Sequence, residues 1–457
     1  MQDMESPNLH FSSALTPRGW QSDVTVALDA AGMITSVTPN SKAGSRISGM
    51  AVPAMPNVHS HAHQRLMLGL TERAGPGADS FWTWREAMYG FALRLGPDDL
   101  TAVAAQLYVE MLKAGFSIVG EFQYLHHQPD GAPYANRAEL SLCCIAASEK
   151  AGIAMTMLPT LYNFSGFGGQ PATAGQRRFI NDADGYLRIY EILKKATDGH
   201  RLQQIGISPH SLRAVTPDLL RAVLHGVDPR SPVHIHVAEQ IKEVEDCLVC
   251  HGRRPVELLF DSFDVSRRWC AIHATHMTKA ETLQLANSAA IAGLCPTTEA
   301  NLGDGVFPAT DYLKAAGAMA IGSDSHITVS PAEDLRMLEY SQRLRDRTRN
   351  ALADGPGLST GRSLYDRALK GGAAAMAQPV GAIAPGYRAD ITVLDAECPA
   401  LIGREGDAAL DTWIFSGGNS CVKDVFVGGA HMIRDRHHAL EDQIANDFRS
   451  VVKRLAS

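Results

Sequence analysis

Cysteine is scarce in this chain, with eight in 457 residues. That density excludes a fold held together by disulfides and fits a reducing compartment in which the thiols are buried or free. Cys247, Cys250 and His251 have the C-x-x-C-H spacing of covalent haem attachment, which requires export. Because no export signal is recognised, we predict instead an ordinary helix that ends at a glycine turn.

Long apolar runs and an excess of basic charge are also missing. No stretch approaches the roughly 18–20 apolar residues that span a bilayer. The first twenty residues are polar where a secretory signal is apolar. The formal net charge is −7, so the protein lacks the positive electrostatic field that is typical of nucleic-acid-binding proteins. We therefore expect a cytoplasmic protein whose partners include neither membrane nor nucleic acid.

Short apolar runs alternate with longer stretches of helical periodicity, which is the pattern of parallel βαβ units. The runs predicted to be strands cover residues 50–58, 117–122, 153–162, 204–210, 232–239, 270–276, 289–296 and 318–326. Their near-continuous apolar composition is typical of parallel strands that are covered on both faces. The sequence therefore predicts an α/β fold with a closed (β/α)₈ TIM-like barrel.

The two ends of the chain have a different pattern, with short alternating segments, Gly and Pro. Residues 1–52 and 378–435 are predicted to form one small β-sandwich side domain from antiparallel strands of both termini. The barrel is then predicted to span residues 53–377, and residues 436–457 are predicted to form a C-terminal helix.

Ionisable side chains follow the apolar runs at their C-terminal ends. They are His59, His61, Glu121, His210, His236, Glu239, His273 and Asp324. In a (β/α)₈ barrel these ends converge on one face, where active sites are built. Residues far apart in the sequence are therefore expected to become neighbours.

Four of these side chains predict a metal site. His59 and His61 occupy positions i and i+2, which point to the same side of a strand. With His236 and Asp324 they make a nitrogen and oxygen donor set that suits one Zn²⁺ with an open position for water. The same donors also suit Fe²⁺, Mn²⁺ or Co²⁺.

Two neighbouring histidines have ordinary interpretations. His63 extends the H-x-H pattern into the following loop, where a solvated imidazole is expected. His234 is interpreted as a core histidine whose polar atoms bond to the backbone.

The motifs MPNVHSHAHQ, HIHVAEQ, IHATH and GSDSH resemble, in order and spacing, those of the amidohydrolase superfamily. The closest resemblance is to its deaminase branch, which uses one metal ion and no bridging modified lysine. It covers nearly the whole chain. Within that branch, the stretches at 79–89, 120–127 and 208–215 resemble the N-formimino-L-glutamate deiminases of bacterial histidine degradation. The sequence departs from the family at His63, where an aromatic residue is common.

The resemblance implies a reaction and residue roles. The reaction is hydrolysis of the formimino group, which yields N-formyl-L-glutamate and ammonia. The implied metal ligands are His59, His61, His236 and Asp324, and the implied catalytic residues are Glu239, His273 and Asp324. The implied substrate-binding residues are Gln64, Arg85, Tyr124, His210 and Arg213. The family also implies a homodimer.

The residues themselves favour a small dicarboxylate amidine as substrate, because Arg85 and Arg213 are suited to bidentate carboxylate binding. The aromatic residues around Arg85 favour a fixed orientation of its guanidinium. Each arginine could instead form a surface ion pair, with Glu86 or with Asp218. A sister deaminase acting on a purine or another cyclic amidine is the alternative function, and a non-catalytic ligand-binding barrel is a third.

Overall fold

A computed structural model describes residues 8–73 and 80–456. Residues 1–7 of the predicted side domain, Asp79 at the start of the 79–89 stretch and Ser457 lie outside the described residues. Within the described part, no helix combines the length and the apolar character needed to cross a membrane.

The strands alternate with helices through the middle of the chain. The strands are β1 (Leu9–Thr16), β2 (Gly19–Leu28), β3 (Ile34–Thr38), β4 (Ser45–Pro53), β5 (Met55–Ser60), β6 (Phe116–Gln123), β7 (Ala154–Leu161), β8 (Gln203–Ile205), β9 (Ser208–Pro209), β10 (Val233–Val237), β11 (Trp269–His273), β12 (Ile291–Leu294), β13 (Ala318–Ile321), β14 (Ile391–Leu394), β15 (Val422–Val427), β16 (Ala430–Arg434) and β17 (His437–His438). The α-helices are α1 (Phe81–Ala92), α2 (Pro97–Ala114), α3 (Glu139–Ala151), α4 (Ala183–Thr197), α5 (Pro217–Gly226), α6 (Ile241–His251), α7 (Pro255–Ser262), α8 (Lys279–Asn287), α9 (Pro296–Leu302), α10 (Ala309–Lys314), α11 (Pro331–Asp346), α12 (Thr360–Met376), α13 (Asp407–Thr412) and α14 (Glu441–Ala456).

The parallel strands form two sheets that meet at both edges. One sheet has the order β5-β6-β7-β8 and the other the order β10-β11-β12-β13. Isolated parallel bridges join Ile207 to Val233 and Ser60 to Asp324. At the second junction the His61 amide donates to the Asp324 carbonyl at 3.2 Å. The strands therefore follow one another around a ring, with their C-terminal ends on one face.

Two of the predicted strands are interrupted. The run 50–58 divides at Ala54, whose amide donates to the Asp390 carbonyl at 3.0 Å, while the next amide, of Met55, donates to Gly115 at 3.1 Å. Successive residues thus bond to different sheets, so β4 belongs to the side sheet and β5 to the barrel. The run 204–210 divides at Gly206, where a Cβ would lie 2.6 Å from a Leu158 methyl group.

The side sheet combines strands from both ends of the chain in the order β17-β16-β15-β14-β4-β1-β2-β3. Its pairs are antiparallel except that of β1 with β4, which is parallel. A second, smaller core that includes Phe11, Val26, Ile391 and Phe426 is buried against it. The sandwich form and the domain boundaries stay predictions.

The segment with the C-x-x-C-H spacing is a helix, as predicted. It is α6, and it ends at Gly252, whose φ of +63° is the left-handed conformation that glycine adopts readily. Cys247 is buried on this helix and Cys250 is exposed. The C-x-x-C spacing is therefore that of two residues three positions apart on one helix.

The connection into β14 contains a buried ion pair, which gives a stability prediction. Arg388 donates through Nε and Nη2 to the two carboxylate oxygens of Asp390, at 2.8 and 2.7 Å. Arg388→Met leaves that buried carboxylate without a cation, so we expect the free energy of unfolding to fall by about 3–5 kcal/mol. Urea denaturation measures this change. The exposed Arg434→Met variant is the control, with an expected change below about 0.5 kcal/mol; equal stability of the two variants would contradict the prediction.

Candidate metal centre and substrate pocket

The four predicted metal ligands meet at the C-terminal face of the barrel. His59 and His61 lie at the end of β5, His236 lies in β10, and Asp324 follows β13. The Asp324 Oδ1 atom is 3.5 Å from His59 Nε2 and 3.4 Å from His61 Nε2. His236 Nε2 is 3.0 Å from His59 Nε2. All four side chains are buried.

Hydrogen bonds orient two of the imidazoles for metal binding. His61 Nδ1 lies 2.9 Å from the Phe122 carbonyl, and His236 Nδ1 lies 2.9 Å from the His210 carbonyl. A carbonyl can only accept, so each Nδ1 carries the proton and each Nε2 presents a lone pair to the centre. Zinc–nitrogen bonds of about 2.0–2.1 Å imply separations of about 3.0–3.4 Å between neighbouring ligand atoms. The donor atoms lie near this spacing and form two candidate clusters that share His59, one with His61 and His236 and the other with His273 and Asp324.

His273 and Glu239 lie beside these ligands. His273 Nε2 is 3.7 Å from Asp324 Oδ2 and 3.9 Å from Glu239 Oε1. Burial opposes the charged imidazolium, but the surrounding carboxylates, Glu239 first among them, raise the pKa of His273 to about 10. Burial raises the pKa of Glu239 to about 7. The pair can therefore hold and release a proton next to the ligand set.

Two further carboxylates position this pair, and the sequence interpretation missed both. Glu299, at the start of α9, accepts from His273 Nδ1 at 3.2 Å. Glu243, in the first turn of α6, accepts from the amides of Ala238 and Glu239 at 3.1 and 3.0 Å. Glu243 lies four residues after Glu239, and this spacing is the sequence signal that could have identified Glu243.

The backbone at the site adopts conformations that non-glycine residues rarely use. Ala238, His273 and Asp324 have φ values of +52°, +67° and +48°. Such conformations carry a cost that the surrounding structure must offset, and they concentrate at functional sites. Here they occur at or within three residues of the ends of strands, where the chain leaves the barrel wall.

A pocket opens beside the metal ligands and includes every predicted substrate-binding residue. Its lining is His61, Gln64, Phe81, Trp84, Arg85, Met88, Tyr89, Tyr124, Tyr162, Phe179, His210, Arg213, His236, Glu239, His273, Leu302 and Asp324. The Tyr124 hydroxyl lies 3.0 Å from Gln64 Nε2 and 2.8 Å from His63 Nε2. His210 is packed against the Tyr162 ring, with 4.6 Å between ring centroids.

His63 corrects the expectation of a solvated loop residue. Its side chain is 2% exposed, because a short 3₁₀ segment (Ala62–Met67) folds it inward against Tyr124. His234 is a core histidine as expected, with Nε2 2.9 Å from the Ala375 carbonyl.

Arg85 and Arg213 have buried guanidinium nitrogens that form no hydrogen bond with another protein group in the described ranges. They are Nε and Nη1 of Arg213 and Nε of Arg85. The acid considered as a partner for Arg85, Glu86, is 3.8 Å away and largely exposed. The acid considered for Arg213, Asp218, pairs instead with Arg221. A guanidinium with buried, open donors is ready to bind an anion.

The Trp82 ring contacts both guanidinium groups. Its ring centroid is 4.6 Å from Cζ of Arg85 and 5.6 Å from Cζ of Arg213. Such cation–π contacts fix the orientation of a planar guanidinium. The shared contact with the indole therefore keeps the two positive groups near each other.

The sequence has recognisable relatives. Residues 50–432 match the profile of the Amidohydrolase family. The chain belongs to the amidohydrolase family. This amidohydrolase is 50% identical over 446 residues to a formimidoylglutamate deiminase of Pseudomonas aeruginosa, covering 97% of this chain and 98% of the relative. The α/β fold class and the family resemblance are thereby confirmed, and a metal-dependent hydrolase is the class of enzyme that follows.

Solved structures also resemble this amidohydrolase. An amidohydrolase from Brucella melitensis has a TM-score of 0.94 at 49% identity, covering 99% of this chain and 100% of that one. An adenosine deaminase from Xanthomonas campestris, crystallised with bound zinc, has a TM-score of 0.84 at 20% identity, covering 99% and 98%. The second likeness shows a shared fold.

Proposed function

We propose that this amidohydrolase hydrolyses N-formimino-L-glutamate to N-formyl-L-glutamate and ammonia. The name of the Pseudomonas aeruginosa relative and its 50% sequence identity to this chain support this substrate. The observation that carries the proposal is that side chains of opposite charge line the same pocket. The pocket is lined both by the carboxylates of Glu239 and Asp324 and by Arg85 and Arg213, which have open donors.

This charge distribution matches the substrate group by group. N-formimino-L-glutamate carries two carboxylates and a basic amidine head. The arginines would bind the carboxylates, with planar guanidinium groups suited to bidentate contacts. The amidine head would then point to Glu239 and the metal ligands. A neutral purine offers no anion for Arg213, so it fits this pocket less well.

In the proposed reaction His59, His61, His236 and Asp324 would hold one divalent ion, and Zn²⁺ suits these donors best. When bound, the ion supplies a Lewis acid that makes water nucleophilic near neutral pH. Asp324 accepts a proton from the attacking water, and His273 orients that water.

Glu239 would complete the reaction by transferring a proton to the formimino nitrogen. The water oxygen bonds to the formimino carbon, and the bond from that carbon to the terminal nitrogen breaks. Both protons of the water end on that nitrogen, which leaves as ammonia, while the carbon keeps the water oxygen as the carbonyl of the formyl group. Tyr124, His210 and Gln64 would position the remaining polar groups of the substrate.

Ammonia release from purified, metal-replete protein tests the proposed substrate. We expect turnover of N-formimino-L-glutamate and none of adenosine or guanine. Removing the metal with a chelator should abolish turnover, and one equivalent of Zn²⁺ should restore it. Turnover of a purine alone would contradict the substrate while leaving the hydrolase class intact. Less than one equivalent of metal in carefully purified protein would favour a ligand-binding barrel.

A conservative change at Glu299 tests the position of His273. Glu299→Gln keeps the shape of the side chain but weakens the bond to His273 Nδ1, so the imidazole is held less firmly. We expect kcat to fall about 10–100-fold with little change in KM. Steady-state kinetics measures both constants, and a changed KM at constant kcat would exclude this role.

The homodimer and the cytoplasmic location stay predictions. Sedimentation equilibrium of the purified protein tests the first, and an intact fluorescent fusion in bacterial cells tests the second.

A further inference from the structure

Glu121 is a buried acid that the proposed reaction does not use. It lies near the end of β6, and its side chain is 1% exposed. No basic side chain within residues 8–73 and 80–456 forms an ion pair with it. Burying a carboxylate without a cation is costly unless hydrogen bonds replace its lost hydration. The bonds that Glu121 accepts therefore indicate what holds it there.

Three donors point at this carboxylate. Ser60 Oγ donates to Oε2 at 2.6 Å, and the Ala62 amide donates to Oε1 at 2.8 Å. The hydroxyl of Tyr108, on α2, donates to Oε2 at 3.1 Å. Both oxygens act only as acceptors, which an amide side chain cannot reproduce, because one end of an amide is a donor.

Two of these donors flank a predicted metal ligand. Ser60 lies between His59 and His61, and Ala62 follows His61. The opposite side of this segment is bonded by Asp324, whose amide donates to the His59 carbonyl at 3.0 Å. The segment that carries two ligands is therefore held on one side by a ligand residue and on the other by Glu121.

We propose that Glu121 is a positioning residue for the metal centre, because its carboxylate holds Ser60 and Ala62 and so places the imidazoles of His59 and His61. This inference rests on the metal centre of the proposed function. It is independent of the substrate. Groups that orient metal ligands from outside typically change metal affinity about 10–100-fold when they are altered.

The test is the metal affinity of folded variants, measured by competition with a chromophoric zinc chelator. We expect Glu121→Gln to raise the zinc dissociation constant about 10–100-fold, and Ser60→Ala about tenfold. Tyr108→Phe is the matched control, because it removes a bond to the same carboxylate without touching the ligand segment. Its dissociation constant should stay within about threefold of wild type. Saturating zinc should restore kcat of Glu121→Gln.

Each outcome bears on the proposal. Wild-type affinity in folded Glu121→Gln would overturn it, and if that variant does not fold, wild-type affinity in Ser60→Ala would do the same. An equal loss of affinity in Tyr108→Phe would overturn it too, since that result describes general packing. A wild-type protein that binds no zinc would remove the metal centre itself, which is a different result from unchanged affinity in the variants.

Discussion

Glu239→Gln is expected to lower kcat for N-formimino-L-glutamate about a thousandfold. General acid–base catalysis by one positioned side chain contributes about 10²–10⁴ to a rate. Burial raises the pKa of Glu239 to about 7, so this carboxyl can both carry and release its proton near neutral pH. Glutamine keeps the shape and the hydrogen-bonding reach of the side chain but cannot release a proton to the departing nitrogen.

The measurement is steady-state ammonia release, with the metal content of each preparation determined in parallel. Zinc should remain near one equivalent, because Glu239 is not one of the ligands. Glu245→Gln is the matched control: it makes the same change on the exposed face of α6 and should keep wild-type kcat. A Glu239→Gln enzyme within tenfold of wild type would exclude Glu239 as the proton donor.

Arg213→Met is expected to raise KM at least about 30-fold with a smaller effect on kcat. Methionine keeps an unbranched, apolar side chain in the buried position and removes the charge. The open Nε and Nη1 donors of Arg213 would bind a substrate carboxylate in a desolvated setting. Truncating one partner of a buried, hydrogen-bonded charge pair typically costs about 2–5 kcal/mol. Because this contact is remote from the reacting carbon, most of the loss should appear in binding.

Two comparisons separate binding of a carboxylate from general disruption. Arg221→Met changes a half-exposed arginine that pairs with Asp218, and its KM should equal that of wild type. A substrate analogue that lacks one carboxylate should bind wild type poorly and lose less from Arg213→Met. An unchanged KM in the Arg213 variant would remove this residue from the substrate site.

The sequence predicted the parts of the site that depend on local pattern. His59 and His61 alternate along a strand, and Asp324 follows an apolar run, so barrel geometry alone brings them together. Glu299 escaped notice because its role depends on where α9 places it relative to β11. No spacing within the PTTEAN stretch signals that contact.

The division of the run 50–58 and the burial of His63 also depend on contacts between distant parts of the chain. The division at Ala54 depends on which sheet each backbone amide bonds to. In the sequence, an apolar run that contributes to two sheets has the same pattern as a single strand. His63 turned inward because Tyr124 supplies a partner from another strand. Likewise, Asp218 pairs with Arg221, which leaves Arg213 available. This pairing depends on side-chain geometry, which the amino-acid composition does not determine.

The division at Ala54 has a consequence for synthesis on the ribosome. The strand before it, β4, pairs with β14, so Ala51 lies opposite Val393. At roughly 5–20 residues per second, a ribosome needs about 17–70 s to travel between those two positions. During that interval β5 is already made and β4 has β1 beside it, but β4 lacks its other neighbour, β14. The histidines at positions 59 and 61 are therefore translated early, whereas β13 and Asp324, which lie along the other side of their strand, are translated only from residue 318 onward.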